Sequence, residues 1–239
     1  MKPVKKLIKK ALSNYGYDVV PHDEAAATAE KNKYRWLQAH DIRTVIDAGS
    51  SDGGFARWIH GQLPEARVIS FEAQDNLYQR LLQRMEGEAY FEAHRMALNN
   101  YNGTTTFRIS SYDGSSSLLP MAELHKSAYP VSKNITEVTV DCKRLDDVLD
   151  AGALKQNVLF KLDVQGGEKL VLEGAENVLA RTRLVFCEIN FQELYEGCVM
   201  ANDLVDFLSR RGFRLTGIEN VSQHMDNGTF LQADAWFQK

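Results

Sequence analysis

Cysteine is scarce in this chain of 239 residues: Cys142, Cys187 and Cys198 are the only three. They are too few for a disulfide framework, and none falls in a Cys-x-x-Cys pair, so a reducing compartment fits best. Long apolar runs are also missing. No stretch approaches the roughly 18 apolar residues that a membrane-crossing helix needs. At the N-terminus, Lys2, Lys5, Lys6, Lys9 and Lys10 interrupt the apolar residues, leaving no continuous core for a secretory leader. A cytoplasmic protein without a transmembrane segment is therefore expected. The Asn-x-Ser/Thr tripeptides at Asn102, Asn134, Asn220 and Asn227 then read as chance matches. Strong charge of one sign is lacking too: a net charge of −4 offers no overall attraction to nucleic acid or acidic lipid, although a local basic patch is compatible with it.

What remains is ordinary globular material. Hydrophobic residues make up 44% of the chain and charged residues 25%, which excludes disordered and fibrous classes. The length suits one large α/β domain, and no linker marks a second. Residues 3–14 read as a short amphipathic helix carrying Val4, Leu7, Ile8, Ala11 and Leu12 on one face. It either docks on an anionic membrane or a partner, or packs on the domain edge with its lysines solvated; the second is the plainer expectation. A second helix is expected over 23–40, capped by Asp23. Residues 1–40 are thus expected to form a helical extension packed on a core domain of 41–239.

From residue 44 the pattern changes. Thr44-Val-Ile-Asp47 and Arg67-Val-Ile-Ser-Phe71 are short apolar runs, and a third strand is expected near 89–98. Helical spacing separates them, through Phe55, Trp58 and Ile59 and then Leu77, Leu81 and Leu82. Strand and helix alternate again from Val158 to Val164, through a helix with Val171, Ala175, Val178 and Leu179, to Leu184–Ile189 and a helix over 202–211. Such alternation specifies a parallel sheet with helices on both faces. Two closing strands, 213–220 and 229–237, with a turn at Asn227-Gly228, add an antiparallel pair. Between the halves, Thr104–Ile109 and Glu137–Val140 alternate like antiparallel strands around a Ser/Gly loop, 110–118. This is expected as an insertion over about 101–142, on the sheet edge and before the fourth core strand.

Three features fall at the carboxyl ends of these strands, where open α/β sheets bind ligands. The turn Asp47-Ala-Gly49-Ser50-Ser51-Asp52-Gly53-Gly54 has glycines that let backbone approach a ligand at a helix N-terminus. Glu72 ends the second strand, where a carboxylate accepts hydrogen bonds from both hydroxyls of a ribose. Asp163 ends the strand expected beside the first. Each has a plain structural alternative: a tight turn, a helix cap, a turn anchor. Together they point to a nucleoside cofactor. Ser51 stands where a dinucleotide fingerprint would have its second glycine, so a phosphate-free nucleoside such as S-adenosylmethionine suits the turn better.

The run Val45-Ile-Asp47-Ala-Gly49-Ser-Ser-Asp-Gly53 resembles the first cofactor motif of Rossmann-like methyltransferases. Phe71-Glu72-Ala73, Arg144-Leu145-Asp146-Asp147, Phe160-Lys-Leu-Asp163-Val-Gln165-Gly166-Gly-Glu168 and Leu172-Glu-Gly174-Ala175 are similar to the FkbM family. Glu188-Ile-Asn190 and Leu194-Tyr195-Glu-Gly197 are similar to its next segment. The resemblance spans about residues 42–200, and Asp-Val-Gln-Gly-x-Glu is its most specific part. Ser50-Ser51-Asp52 departs from the family, where an Ala-Asn pair is commoner. The resemblance implies a seven-stranded Rossmann-like methyltransferase fold, use of S-adenosylmethionine, and methylation of a hydroxyl on a small-molecule, sugar or glycan-like acceptor. The cofactor contacts it implies are Asp47, Gly49, Ser50, Ser51, Gly53, Glu72, Ala73, Met96, Ala97 and Asp163.

Methyl transfer from a sulfonium to a hydroxyl needs alignment and a base. Asp163 is the first candidate base and Glu188 the second; alternatively Asp163 only fixes the cofactor or the cleft. Two carboxylates on adjacent strand ends could instead hold Mg²⁺ or Mn²⁺, but no dense His/Asp/Glu cluster supports a metal and none is expected. His94 and His125 are expected as surface or helix-end residues rather than catalysts, and Cys198 as buried or idle. The loop at 110–118 either folds over the site and helps select the acceptor or is an exposed, mobile connection; the first is slightly the favoured expectation. A homodimer is compatible with the chain. Two other functions stay open: a nucleoside-binding protein of the same fold without turnover, and a nicotinamide oxidoreductase, against which Ser51 argues.

Overall fold

The computed structural model describes residues 33–155 and 157–239. The helix expected over 3–14, and most of that expected over 23–40, lie outside the described residues. Within the latter range, Arg35–His40 forms a 3-10 helix.

Beyond it, the expected alternation organises a seven-stranded sheet. In chain order the main-sheet strands are β1 (Thr44–Ala48), β2 (Arg67–Glu72), β3 (Phe91–Arg95), β7 (Val158–Leu162), β8 (Thr182–Asn190), β9 (Arg214–Gln223) and β10 (Phe230–Gln238). Their spatial order is β3-β2-β1-β7-β8-β10-β9. The first five are parallel, and β10 runs antiparallel to both β8 and β9. β1 and β7 are buried along their whole length, which is why both read as mainly apolar runs, broken by Asp47 and Lys161, rather than as alternating ones. The chain leaves β1 on one side towards β2 and returns on the other as β7, so a switch point opens between their carboxyl ends.

Helices α1 (Gly54–Gln62) and α2 (Asp75–Arg84) follow β1 and β2. The single helix expected after Gly167 is two, α5 (Glu168–Glu173) and α6 (Glu176–Arg181), parted at Gly174. A Cβ at Gly174 would lie 2.1 Å from the Asn99 carbonyl oxygen, so close backbone approach breaks the helix there. Asp146 recaps the second piece, accepting from the Asn177 and Val178 N–H groups at 3.0 Å each. This gives Asp146 of the Arg-Leu-Asp-Asp motif a structural task. α7 (Ala201–Ser209) matches the last expected helix. The final connection, His224–Thr229, is a six-residue loop with Gly228 in the left-handed region, longer than a two-residue hairpin turn.

The segment expected near 89–98 splits between two sheets. β3 ends at Arg95, and Ala97–Leu98 (β4) pairs instead with β6 (Ile135–Lys143). β6 also pairs antiparallel with β5 (Gly103–Ser110). The insertion therefore forms its own three-stranded sheet, ordered β4-β6-β5, rather than extending the edge of the main one. Its strands expose alternate residues such as Thr104, Thr106, Glu137 and Thr139. A strand with one polar face suits a sheet solvated on one side, not the doubly covered parallel sheet. A small core of Met121, Leu194, Tyr195, Cys198 and Leu231 ties helix α3 (Glu123–Ala128) and its flanks to the loop after β8.

Candidate active site

The carboxyl ends of β1, β2 and β7 open onto a solvent-connected cavity, the place where an open α/β sheet binds ligands. One wall is apolar: Phe71, Leu77, Met96, Leu98, Phe107 and Leu118 line it. Gly49, Ser51, Glu72, Asp163 and Gln165 bring polar groups to it.

Glu72 is 6% exposed. Its carboxylate accepts from the Ser51 N–H and the Gln74 N–H, each at 2.8 Å, one on each oxygen. Each oxygen keeps a free lone pair, so two vicinal hydroxyls could donate to it. Burial raises the carboxyl above the usual range, and the two backbone donors and Lys161 offset this only in part. Ser51 reaches Glu72 because it sits at φ 50, in the left-handed region.

Gly49 lines the cavity, but its lack of a side chain serves the neighbouring strand. At φ 73, a Cβ there would lie 1.9 Å from the Asp163 carbonyl oxygen. The glycine thus lets the end of β7 close on the turn after β1. Ser50 donates to the Asp47 carbonyl at 2.8 Å and is buried away from the cavity. Gly53, at φ 85, precedes α1 and packs against Leu81. Asp47, fully buried, does not line the cavity either. Three of the expected cofactor contacts, Asp47, Ser50 and Gly53, therefore build the turn from behind, while Gly49, Ser51, Glu72, Ala73, Met96, Ala97 and Asp163 face the cavity.

Behind that turn stands a residue that sequence reasoning passed over. Lys161, in the middle of β7, places its Nζ 3.0 Å from Asp47 Oδ1 and 3.8 Å from Asp163 Oδ2. It also donates to the Gly49 carbonyl at 2.6 Å and the Ala48 carbonyl at 3.3 Å. Burial alone would depress this ammonium, but Asp47, Asp163 and Glu72 hold it above the usual lysine range. The signal was present: one charged residue inside a run otherwise wholly apolar requires a buried partner.

Asp163 is half-exposed at the mouth of β7. Its Oδ1 accepts from Gln165 Nε2 at 2.7 Å. Gln165, at φ 56, is itself clamped: its Oε1 accepts from the Tyr195 hydroxyl at 2.9 Å and its carbonyl from Ser117 Oγ at 2.6 Å. Glu168, fully buried, holds the same turn by accepting from the Val164 and Gly166 N–H groups at 3.1 and 3.2 Å. Its carboxyl is raised to about 7, chiefly by burial. Glu188 lies one row along on β8, behind Gln165 and away from the cavity. Burial first, then Asp163, Glu168 and Asp234, push it well above the usual carboxylate range.

Loop 110–118 contributes Asp113, Gly114, Ser116 and Leu118 to the cavity wall. It is pinned by Ser117 to Gln165 and by an ion pair between Arg80 and Asp113 at 2.5 Å. His94 stacks on Phe71 and bonds Glu92, outside the cavity. His125, expected as a surface or helix-end residue, lies in the last turn of α3 but is buried rather than on the surface. Cys198 is buried, which raises its thiol. Among the described residues no group of three or more His, Cys, Asp or Glu side chains could hold a metal ion, and no helix is long and apolar enough to cross a membrane.

S-adenosylmethionine fits these residues. The buried carboxylate with two free lone pairs suits its ribose, the apolar wall its adenine, and the Gly49–Asp163 corner its amino-acid end. A family model described as "Methyltransferase FkbM domain" matches residues 47–215. The chain is 29% identical over 170 residues to 2-O-methyltransferase NoeI of Sinorhizobium fredii, covering 69% of this chain and 70% of that protein. It is 26% identical over 149 residues to Methyltransferase 1 of Beauveria bassiana, covering 57% of this chain and 60% of that one. Among solved structures, a precorrin-6y C5,15-methyltransferase from Geobacter metallireducens has a TM-score of 0.45 at 11% identity, covering 87% of this chain and 88% of that one.

Proposed function

The chain belongs to the FkbM methyltransferase family, and on that premise we propose that it methylates a hydroxyl of a sugar or glycan-like small molecule, with Asp163 as the base. The observation that carries this reading is a cavity lined by two unlike carboxylates. Glu72 is buried and has a free lone pair on each oxygen, whereas the carboxylate of Asp163 is half-exposed and meets solvent. The relative whose name specifies a 2-O-methyltransferase supports an oxygen acceptor. A net charge of −4 supports a small molecule or glycan over a nucleic acid.

S-adenosylmethionine supplies an electrophilic methyl carbon on a positively charged sulfur. The protein has to orient the acceptor oxygen towards it and remove the hydroxyl proton. Glu72 holds the ribose, while Phe71, Met96, Leu98 and Phe107 offer the adenine an apolar wall. Gln165 holds Oδ1 of the Asp163 carboxylate, and Oδ2, 3.8 Å from the Lys161 ammonium, keeps a lone pair for the acceptor proton. Proton removal by a positioned side chain contributes about 10²- to 10⁴-fold to rate.

Two measurements test the proposal. Calorimetry with S-adenosylhomocysteine reads the cofactor site. Transfer of a ¹³C-labelled methyl group to a panel of methyl glycosides reads the acceptor class. At S-adenosylmethionine concentrations that saturate it, Asp163→Asn should lose at least about 100-fold in kcat, whatever its effect on S-adenosylhomocysteine affinity. Binding heat with no methylated glycoside would overturn the acceptor assignment. Undiminished turnover in Asp163→Asn would overturn the role of the base.

A further inference from the structure

A continuous chain of hydrogen bonds runs from the insertion to Asp163. Ser132 Oγ lies 3.2 Å from His125 Nδ1, and His125 Nε2 lies 3.2 Å from the Tyr195 hydroxyl. That hydroxyl lies 2.9 Å from Gln165 Oε1, and Gln165 Nε2 reaches Asp163 Oδ1 at 2.7 Å and Glu188 Oε2 at 3.4 Å. Ser132, His125, Tyr195 and Gln165 are all buried.

Counting hydrogens gives the chain a direction. Two carboxylates face Gln165 from one side, and an ionised Asp163 can only accept, so the amide NH₂ must point at them. The amide oxygen therefore faces Tyr195 and needs a donor. Tyr195 has one hydrogen, and its neighbours Gln165 Oε1 and the Ser115 carbonyl at 3.1 Å are both pure acceptors. The contact with His125 is then a hydrogen bond only if Nε2 carries the hydrogen. Burial lowers the imidazole to about 4, so it is neutral at physiological pH. A neutral ring with Nε2–H leaves Nδ1 facing Ser132 Oγ at 3.2 Å, but the one Ser132 hydrogen goes to the Tyr129 carbonyl at 2.7 Å, so the line of donors starts at His125.

We propose that Gln165, Tyr195 and His125 are positioning residues for methyl transfer: a one-way relay of donors through which the insertion fixes the rotamer of Asp163. This rests on Asp163 being the base. It explains why Gln165 tolerates a left-handed backbone between Asp163 and Gly166. A Cβ at Gly166 would come within 3.0 Å of the Tyr195 and Cys198 side chains, so the turn is pressed against the relay. It also gives the segment between β5 and β6 a task beyond walling the cavity.

Long-range ¹H–¹⁵N correlation spectra of the labelled protein read the tautomer of His125 without any acceptor. The expected result is a neutral ring protonated at Nε2; a ring protonated at Nδ1 would reverse the relay and overturn the proposal. Tyr195→Phe keeps the ring and removes the donor. Although residue 195 does not touch Asp163, this variant should move the carboxyl-carbon resonance of Asp163 while S-adenosylhomocysteine affinity stays within about twofold. On whichever methyl glycoside is turned over, Tyr195→Phe should lower kcat about tenfold with KM for S-adenosylmethionine unchanged. An unmoved Asp163 resonance sinks the relay. Absence of S-adenosylhomocysteine binding, or of any methylated glycoside, would count against the functional reading instead.

Discussion

Replacing Glu72 with Gln changes one charge and one acceptor while preserving volume. In the wild type the carboxylate accepts two backbone N–H groups at 2.8 Å and retains one lone pair on each oxygen for a ribose hydroxyl. Hydrogen bonds to charged groups are worth about 1.5–3 kcal/mol each. The amide keeps a single acceptor oxygen, uncharged, and turns its NH₂ towards the N–H of Ser51 or Gln74. One ribose bond is lost and the other weakened, so about 3 kcal/mol of binding should disappear. At about 1.4 kcal/mol per tenfold, the Kd for S-adenosylhomocysteine should rise roughly 100-fold. Calorimetry measures this, with a thermal melt to show that the variant is folded. Glu72→Ala is the poorer probe, because it leaves two N–H groups without their acceptor, at about 1–3 kcal/mol each. Burial raises the Glu72 carboxyl, so wild-type affinity should also weaken as the pH falls and the acceptor is protonated. A folded Glu72→Gln protein whose Kd stays within about twofold of wild type would refute the ribose assignment.

Gly49→Ala would force a Cβ to 1.9 Å from the Asp163 carbonyl oxygen at φ 73. It should destabilise by about 4 kcal/mol or more, and a melting temperature within a few degrees of wild type would show that the turn can relax. Lys161→Met leaves the fully buried Asp47 carboxylate without its cation, costing about 3–5 kcal/mol in chemical denaturation. The double variant with Asp47→Asn should recover much of that loss, and failure to do so would mean that Lys161 acts through the Ala48 and Gly49 carbonyls instead. Glu168 has a carboxyl raised from 4.5 to about 7, so the folded state holds the proton more tightly than the unfolded one. Stability from this group is therefore greatest at low pH and falls as pH rises from about 4.5 to about 7, by up to about 3 kcal/mol. Glu168→Gln should flatten that slope in melts across the interval, and an unchanged slope would assign it to other groups.

The core strands were legible because each buried strand writes its environment into side-chain type. Both faces of β1 and β7 are covered, and Val45, Ile46, Leu159 and Phe160 fill them. Glu72 and Asp163 were legible because strand ends in an open α/β sheet leave few places for a ligand. The split at Gly174 was not, since the obstruction comes from Asn99, 75 positions away in the chain. Nor was the split of the third strand at Arg95, because the pairing of Ala97 and Leu98 depends on a β6 that begins some 40 residues later. Lys161 could have been flagged by its charge inside an apolar strand, but its partners could not.

By itself the sequence determined the alternation of elements and the two carboxylates that line the cavity, because periodicity and residue chemistry are local properties. Only the tertiary structure decided that Asp47, Ser50 and Gly53 stand behind the turn rather than in the cavity. It alone set Glu188 behind Gln165 and brought Ser132, His125 and Tyr195 into line with Asp163. Those placements arise from contacts between strands and loops far apart in the chain. A hydrogen bond across such a distance leaves no period in the sequence from which it could be read.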